Sequence, residues 1–298
     1  MYDKNEEGRV VKLGCLPYLA VVLVVFSSII KAIENDDSVD YVTIAILAKD
    51  KAHTLPLYLE CIENQTWPAS KTCLYIRTNN NKDNTAHILR DWVARVGVRY
   101  ANIYFDDSDV EESVEQFGQH EWNYTRFQVL GRIRQDSVNW AKEHNSHYFV
   151  VDCDNFISHD TLKTMVQLRL PIVAPFLRCC TYENRFYGNY HEAIDVNGYY
   201  APSMLYYDIL EQRVKGIIEV SVVHCAYFIR HEVLDTVCYD DGSGRYEYVI
   251  FSHFAREQHI PQYIDNRKIY GYMSFAECAK DFNSEGIMIF LRSAKYEA

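Results

Sequence analysis

The sequence predicts an α/β fold with a doubly wound, mostly parallel sheet. Apolar stretches rich in β-branched residues alternate with stretches whose apolar residues recur at helical spacing. Polar side chains follow several of the apolar stretches at the point where each predicted strand ends. With 48% hydrophobic and 14% aromatic residues, the 298-residue chain can bury a sizeable core. A single domain built on one central sheet accounts for these three observations.

The predicted elements follow one another in strand–helix order. They are a strand over 41–48, a helix from Thr54 with Pro56 in its first turn, a strand over 73–78, a helix from Asn84 or Thr85 to Gly97, and a strand over 98–105. After an unassigned acidic loop over 106–119 come a helix over 122–143, a strand over 148–151, a helix over 160–169 and a strand over 172–176. A strand or hairpin over 217–229 and a helical or extended segment over 246–254 complete the series.

The net charge of the chain limits the classes of partner that it can bind. It has 41 acidic and 30 basic residues, a formal net charge of −11. Nucleic-acid binding requires a basic face, so we expect no nucleic-acid partner. An anionic ligand would need a metal ion or a local basic pocket.

The amino-terminal segment predicts entry into the secretory pathway. Residues 13–30 form an uncharged, mostly apolar run that would span about 27 Å as a helix. Because basic residues precede this run, we expect residues 1–12 to be a cytosolic tail, residues 13–33 a signal anchor or cleaved signal peptide, and residues 34–40 a linker. Residues 41–298 would then lie in the lumen of the endoplasmic reticulum or Golgi, in a type II membrane protein or a secreted one. A buried amino-terminal core helix is the alternative.

Two further features are consistent with a lumenal domain. Asn64 and Asn123 begin glycosylation sequons. The chain has nine cysteines without a Cys-x-x-Cys spacing, which argues against a structural zinc cluster. Some disulfides are expected, although the sequence does not specify their pairing.

An acidic pair follows the buried strand over 148–151. In an extended segment side chains alternate, so Asp152 and Asp154 point the same way and Cys153 points into the opposite layer. Two carboxylates on one side form a site for a hard divalent cation. The alternative is an exposed turn after a strand, where an Asp-x-Asp motif is also common.

Other polar groups converge on the same edge. Asp50 follows the first predicted strand and residues 79–83 follow the second, so both lie at carboxyl ends of strands, as the acidic pair does. In doubly wound sheets, ligands bind beyond these ends. This convergence favours a functional site over an exposed turn.

The stretch over 178–207 is rich in tyrosine and includes the Tyr199-Tyr200 doublet. Tyrosine combines an apolar ring with a hydroxyl and suits a binding surface for a polar ligand. An ordered loop without a ligand is the alternative.

Four blocks of sequence, in a fixed order, carry a resemblance to a known family. They are Val42-Thr43-Ile44-Ala45-Ile46-Leu47-Ala48-Lys49-Asp50-Lys51-Ala52-His53-Thr54-Leu55-Pro56, Lys82-Asp83-Asn84-Thr85, Arg134-Gln135 and Phe149-Val150-Val151-Asp152-Cys153-Asp154-Asn155. Together they resemble glycosyltransferase family 25, and the amino-terminal glycosyltransferase domain of the procollagen galactosyltransferases in particular. The resemblance extends over about 42–275. It implies a GT-A-like (Rossmann-like) fold in a single catalytic domain.

The resemblance also implies an activity. A hexose, with galactose favoured, would move from a UDP-sugar to an acceptor hydroxyl with inversion, and the acceptor would include hydroxylysine of collagen-like chains. Mn²⁺, or Mg²⁺ in its place, would be held by Asp152 and Asp154, with His224 as a further ligand. The acceptor would contact Tyr199 and Tyr200. The donor would contact Ala48, Lys49, Asp50, Asn79, Asn80, Asp83, Arg134, Asp152, Cys153 and Asp154.

The region of the catalytic base departs from the family pattern. The family has an acidic pair after an aromatic residue, whereas here Glu247 occupies the first acidic place and Tyr248 replaces the second. Asp240 and Asp241 are the alternatives to Glu247. A solvated acid at a helix start and a satisfied interior histidine remain open for Glu247 and His224. From the resemblance we also expect the second glycosyltransferase-like domain of the collagen enzymes to be absent, and an inactive homologue acting as an adhesion or binding protein is the alternative function.

Overall fold

The computed structural model describes residues 39, 41–112, 123–181, 183–282 and 284–293. All of the described helices and strands lie in the unit Asp40–Ala298. The expected tail and signal segment lie outside the described residues. Within the described ranges, no helix is long and apolar enough to cross a bilayer.

Strands and helices alternate through the first half of the described domain. In chain order the strands are β1 (Tyr41–Ala48), β2 (Thr72–Thr78), β3 (Asn102–Asp106), β4 (Ser146–Val151), β5 (Asn155–Ile157), β6 (Ile172–Pro175), β7 (Leu177–Cys179), β8 (Tyr190–His191), β9 (Ala193–Ile194), β10 (Tyr200–Ala201), β11 (Ile217–Val220), β12 (Val222–Val223), β13 (Ala226–Ile229), β14 (Gln262–Asp265) and β15 (Gly271–Met273). The α-helices are α1 (Leu55–Glu63), α2 (Thr85–Val96), α3 (Tyr124–Glu143), α4 (Thr161–Gln167), α5 (Met204–Leu210), α6 (Glu247–Glu257) and α7 (Glu285–Ser293).

Eight strands form the central sheet in the order β11-β14-β6-β13-β4-β1-β2-β3. The pairs β1/β2, β1/β4, β2/β3 and β6/β14 are parallel, whereas β4/β13, β6/β13 and β11/β14 are antiparallel. The predicted mostly parallel α/β sheet is therefore confirmed. Because β13 runs antiparallel to β4, with Ala226 opposite Val151, the residues just before β13 lie at the edge where β4 ends. That edge carries the candidate site.

The core lies on both faces of this sheet. In β4, Phe149 and Val151 pack into the layer with α1 and α2, while Tyr148 and Val150 pack into the layer with α3 and α6. All four side chains are at most 1% exposed. A strand buried on both faces is apolar at successive positions, which explains the uninterrupted apolar run in the sequence.

A second sheet has three strands in the order β5-β15-β7, and its strand β5 follows the turn after β4. Its closest approach requires a glycine. A Cβ at Gly271 would lie 2.1 Å from the carbonyl oxygen of Phe156. The strands therefore pack at a distance that only glycine allows.

The prediction of one strand or hairpin over 217–229 is wrong. β11 and β13 belong to the central sheet but are not neighbours, and β12 between them pairs with β8. Cys225 has φ +64° and turns the chain between β12 and β13. Non-glycine residues adopt this conformation rarely, so the sequence carries no local sign of it.

Other boundaries differ by less. β3 begins at Asn102 instead of 98 because residues Gly97–Arg99 form a 3₁₀ turn, where Val98 is 96% exposed. α3 begins at Tyr124, and the side chain of Asn123 caps it by accepting a hydrogen bond from Arg126 N at 3.1 Å. The eight cysteines in the described ranges are free thiols, so the expected disulfides are not seen there.

Candidate active site at the carboxyl edge of the sheet

The loops after β1 and β2 are joined by hydrogen bonds. Asp50 has φ +52°, its backbone N donates to Asn81 Oδ1 at 2.9 Å, and its Oδ1 accepts from Lys82 N at 2.6 Å. Lys49 Nζ donates to the carbonyl of Asn80 at 2.5 Å. Asp50 therefore fixes the two loops to each other, a structural role that the sequence did not predict.

Asp83 and Asn80 also hold loop backbone. Asp83 Oδ2 accepts from Ala52 N at 3.0 Å, which fixes the segment before α1. Asn80 Oδ1 accepts from Val110 N at 3.0 Å, and its own N donates to Asp109 Oδ1 at 2.6 Å. The carboxylate of Asp83 and the amide of Asn80 thus shape the rim of the site.

A cavity of about 130 Å³ opens between the ends of β1 and β2 and helix α3. Three of the predicted donor-binding residues, Ala48, Lys49 and Asn79, are in its wall. The other wall residues are Leu47, Arg77, Arg126, Val129, Leu130 and Ile133. Aliphatic side chains of α3 on one side, with amide and basic groups on the other, suit a flat ring that has polar edges.

The acidic pair lies in a turn instead of an extended segment. The carbonyl of Asp152 accepts from Asn155 N at 2.9 Å, and the N of Asp152 donates to Cys225 O at 2.8 Å. Cys153 is 1% exposed, with its Sγ 3.4 Å from Leu47 O. The extended geometry that we predicted is therefore wrong, although Cys153 is directed into the core as expected. A thiol in that position does not face a ligand at the edge.

Each carboxylate of the pair meets a protein cation. Arg134 Nη2 donates to Asp152 Oδ1 at 2.8 Å, and Lys51 Nζ donates to Asp154 Oδ2 at 2.7 Å. The two aspartate side chains remain 32% and 21% exposed, so both can reach a ligand. Burial raises the pKa of Asp152, and the Arg134 charge limits the rise.

Glu247 lies in the same charge cluster. It is the first residue of α6 and is 5% exposed, and its Oε1 is 3.3 Å from Arg134 Nε. Arg134 Nε makes no hydrogen bond to the described residues, so this contact is an ion pair without hydrogen-bond geometry. Burial raises the pKa of Glu247, and Arg134 opposes the rise. One guanidinium therefore connects Asp152 and Glu247.

The two alternatives to Glu247 lie in an exposed loop. Asp240 Oδ1 accepts from Gly242 N at 2.9 Å, and Asp241 Oδ2 is 2.6 Å from Arg245 Nη2. Although partial burial opposes it, hydrogen bonds from Ser243 and Arg245 lower the pKa of Asp241 to about 2. A carboxylate so strongly stabilised in its charged form is a poor proton acceptor.

Aromatic and histidine rings surround Glu247. The ring of Tyr246 is 5.2 Å from that of Tyr199, and the ring of Tyr248 is 5.0 Å from that of His224. The remaining neighbour, His191, has its ring 5.1 Å from that of His224 and 5.5 Å from that of Tyr200. The structure thus brings Tyr199 next to the helix start that carries Glu247, whereas Tyr200 is connected to it through His191, whose ring is 5.9 Å from that of Tyr248.

His224, predicted as a further metal ligand, is a buried histidine close to the start of α6. Burial lowers its pKa well below the ordinary value, its Nδ1 lies 2.9 Å from Cys225 Sγ, and its Nε2 has no partner among the described residues. No group of three or more His, Cys, Asp or Glu side chains in the described ranges could hold a metal ion. The role of His224 as a further metal ligand stays a prediction, and a neutral imidazole with an Nε2 unpartnered within the described part of the chain is compatible with it.

The acidic turn fits a hard divalent ion in ligand type. Asp152 and Asp154 supply carboxylate oxygens, and Mg²⁺ is commonly bound by one or two carboxylates with phosphate and water completing its shell. Arg134 and Lys51 each already occupy one carboxylate oxygen of the pair, so a metal ion would have fewer free oxygens to bind.

Lys51 and His191 were not among the predicted site residues. Lys51 follows a predicted strand by three residues and lies within the first block that carries the family resemblance.

The sequence has relatives among known proteins. Procollagen galactosyltransferase 2 of Homo sapiens is 31% identical over 243 residues, which are 78% of this chain and 38% of that protein. The inactive glycosyltransferase 25 family member 3 of Mus musculus is 27% identical over 266 residues, which are 86% of this chain and 44% of that protein. The chain thus spans about two fifths of the length of these curated relatives.

The fold has relatives among solved structures. S. aureus TarS 1-349 in complex with UDP-GlcNAc is 13% identical, with a TM-score of 0.51 over 86% of this chain and 66% of that chain. A second structure of S. aureus TarS is 13% identical and has a TM-score of 0.52 over 86% of this chain and 39% of that chain. These likenesses confirm the GT-A fold. The sequence model of the glycosyltransferase family 25 N-terminal domain matches residues 39–291. Since that match covers most of the 298 residues, the chain belongs to glycosyltransferase family 25.

Proposed function

We propose that the chain is an inverting glycosyltransferase that moves a hexose from a UDP-sugar to an acceptor hydroxyl, with galactose as the favoured hexose. The observation that carries this proposal is the Arg134 guanidinium between Asp152 and Glu247, at 2.8 and 3.3 Å. It brings a candidate diphosphate site and a candidate base together at one edge of the sheet. Relatives named procollagen galactosyltransferase support galactose as the sugar and hydroxylysine of collagen-like chains as the first acceptor to test.

The donor would lie along the edge of the sheet. Uridine would lie in the cavity between α3 and the β1 and β2 loops, against Ala48, Lys49 and Asn79. The diphosphate would then extend toward Asp152 and Asp154. A divalent ion held there, Mn²⁺ or Mg²⁺, would stabilise the negative charge of the leaving diphosphate.

Glu247 would act as the base. As the acceptor oxygen bonds to the anomeric carbon, the bond from that carbon to the diphosphate breaks, and Glu247 takes the hydroxyl proton. A carboxylate whose pKa is raised by burial is better matched to this task at neutral pH than an exposed one. Tyr199 and Tyr200 would contact the acceptor, since their rings lie beside Tyr246 and His191.

We also place the domain in the lumen of the secretory pathway. The apolar run over 13–30, the two sequons and the collagen-modifying names of relatives support this location. The amino-terminal segment, if uncleaved, would attach the protein to the membrane.

Donor screening of the full chain tests the proposal. The protein is incubated with Mn²⁺, each of a panel of UDP-sugars and a hydroxylysine-containing collagen peptide, and both UDP release and peptide mass are measured. We expect UDP-galactose to give the fastest release and a mass increase of one hexose. The combined Asp152→Asn and Asp154→Asn variant should lose transfer. Activity that survives this double change would contradict the assigned diphosphate site.

A catalytically inactive homologue that acts in adhesion or binding is the second candidate. It is favoured by Tyr248 in place of an acid, by the burial of Glu247 against Arg134, and by relatives at 27–28% identity that are named inactive. UDP with Mn²⁺ should raise the thermal unfolding midpoint if the donor site is intact. No stabilisation and no UDP release with any donor would favour the inactive homologue.

A further inference from the structure

Lys51 lies beside the acidic turn in a fixed position. Its backbone N donates to Thr85 Oγ1 at 2.7 Å, and its carbonyl accepts from the N of Thr54 and of Leu55 at 3.0 Å each. Its side chain is only 16% exposed. Backbone contacts on both sides therefore hold the residue, and burial confines its ammonium.

The ammonium of Lys51 pairs with one carboxylate of the Asp-x-Asp motif. The distance from its Nζ to Asp154 Oδ2 is 2.7 Å, typical of a charge-assisted hydrogen bond. Asp154 is itself fixed, because its carbonyl accepts from Ser274 N at 2.9 Å. Arg134 pairs with the other carboxylate, Asp152, at 2.8 Å. The two protein cations together supply the charge of one divalent ion.

This arrangement has two physical consequences. A metal ion on Asp154 would share the carboxylate with the ammonium or displace it, and two cations a few ångströms apart repel each other. The same ammonium would lie beside a diphosphate bound at the acidic turn, and a lysine can serve a phosphate as a point charge.

We propose that Lys51 is a resident cation of the diphosphate subsite. It competes with a divalent metal ion for Asp154, and it supplies positive charge to a nucleoside diphosphate when no metal is bound. The nucleotide part of this inference rests on the proposed function, whereas the metal part rests on the Lys51–Asp154 pair alone.

The metal part is tested by titrating Mn²⁺ into the full chain without nucleotide. Electron paramagnetic resonance measures how much Mn²⁺ is bound. We expect Lys51→Met to bind Mn²⁺ at least tenfold more tightly than wild type, and Lys51→Arg, which keeps the charge, to stay within threefold of it. Lys51→Gln serves as a second neutral variant. Adding Asp154→Asn to Lys51→Met should abolish the gain. An unchanged or weaker Mn²⁺ affinity in both neutral variants would overturn the inference.

A matched control separates a local effect from the loss of one positive charge. Lys142 is 2.6 Å from Asp235 in another lysine–aspartate pair, at the end of α3. It lies eight positions beyond Arg134, roughly 12 Å along the helix. Lys142→Met should leave Mn²⁺ affinity within twofold of wild type. An equal gain in Lys142→Met and Lys51→Met would overturn the assigned competition.

The nucleotide part is tested by calorimetric titration of UDP in EDTA and in Mn²⁺. We expect wild type to bind UDP in EDTA, and Lys51→Met to lose at least tenfold in affinity there and to recover with Mn²⁺. Wild-type binding that requires Mn²⁺ would overturn the inference and leave the proposed function standing. If UDP binds under neither condition, the proposed function is contradicted, and the Mn²⁺ comparison alone then decides whether Lys51 competes with metal.

Discussion

The guanidinium of Arg134 donates from Nη2 to Asp152 Oδ1 at 2.8 Å while its side chain is only 5% exposed. Its Nε also lies 3.3 Å from Glu247, so removal of this charge would leave two carboxylates without their shared cation. We predict that Arg134→Met lowers the free energy of unfolding by about 3 kcal/mol, since an unpaired buried charge is costly. Urea unfolding measures the loss.

The neighbouring Arg132 provides the control for this prediction. It is 53% exposed and pairs with Glu112 at the surface. Exposed ion pairs contribute little, so Arg132→Met should lower the free energy of unfolding by less than about 1 kcal/mol. Equal losses from both variants would mean that the buried contacts of Arg134 do not stabilise the fold.

Glu247→Gln tests the assigned base. The amide keeps the shape of the side chain but cannot take a proton, so the turnover of acceptor should fall by about a hundredfold or more. UDP affinity should stay within threefold of wild type, because Glu247 is not in the wall of the nucleotide cavity. Transfer rates and UDP titrations distinguish the two effects.

The alternative base is tested in parallel. Asp241 pairs with Arg245 in an exposed loop, and hydrogen bonds hold its pKa at about 2 despite partial burial. We expect Asp241→Asn to change turnover by less than twofold. A large loss in Asp241→Asn with a small one in Glu247→Gln would move the base to that loop.

The cavity under α3 gives a further prediction. Leu130 is half-buried in its wall, and an indole ring at this position would occupy much of the roughly 130 Å³ that we assign to uridine. Leu130→Trp should therefore weaken UDP binding at least tenfold, measured by titration. The thermal midpoint without ligand should change by only a few degrees, because the ring fills existing space. Unchanged UDP affinity would mean that the uracil ring binds outside this cavity.

Local patterns predicted most of the fold and part of the site. β1 was predicted with its observed bounds, because a strand buried on both faces is recognisable from its own residues. The Lys51–Asp154 contact was not predicted, since it joins residues 103 positions apart. The acidic turn was predicted as extended because its geometry depends on the backbone of Cys225, in a strand connection far along the chain. Contacts set by tertiary packing leave no periodic signal.

Acid sensitivity provides a test of the fold away from the site. His147 is 4% exposed, and its Nδ1 accepts from His231 N at 2.9 Å, so this nitrogen must be unprotonated. Burial, and then the charge of His231, lowers the pKa of His147 to about 4. In the unfolded chain the pKa is about 6.5, so the unfolded state binds the proton first as the pH falls. Stability should therefore decrease between pH 6.5 and 4, by about 3 kcal/mol from this residue.

Denaturant unfolding from pH 7.5 to 4.5 measures this loss, and two variants assign it. In His147→Asn the amide oxygen can still accept from His231 N but does not titrate, so the decline should be smaller than in wild type by about 2–3 kcal/mol. His87 pairs with Asp91 on the surface, where both side chains are 69% exposed, and His87→Asn should follow the wild-type profile. If His147→Asn also follows that profile, the acid sensitivity comes from other groups, such as the buried His224, whose pKa is also lowered by burial.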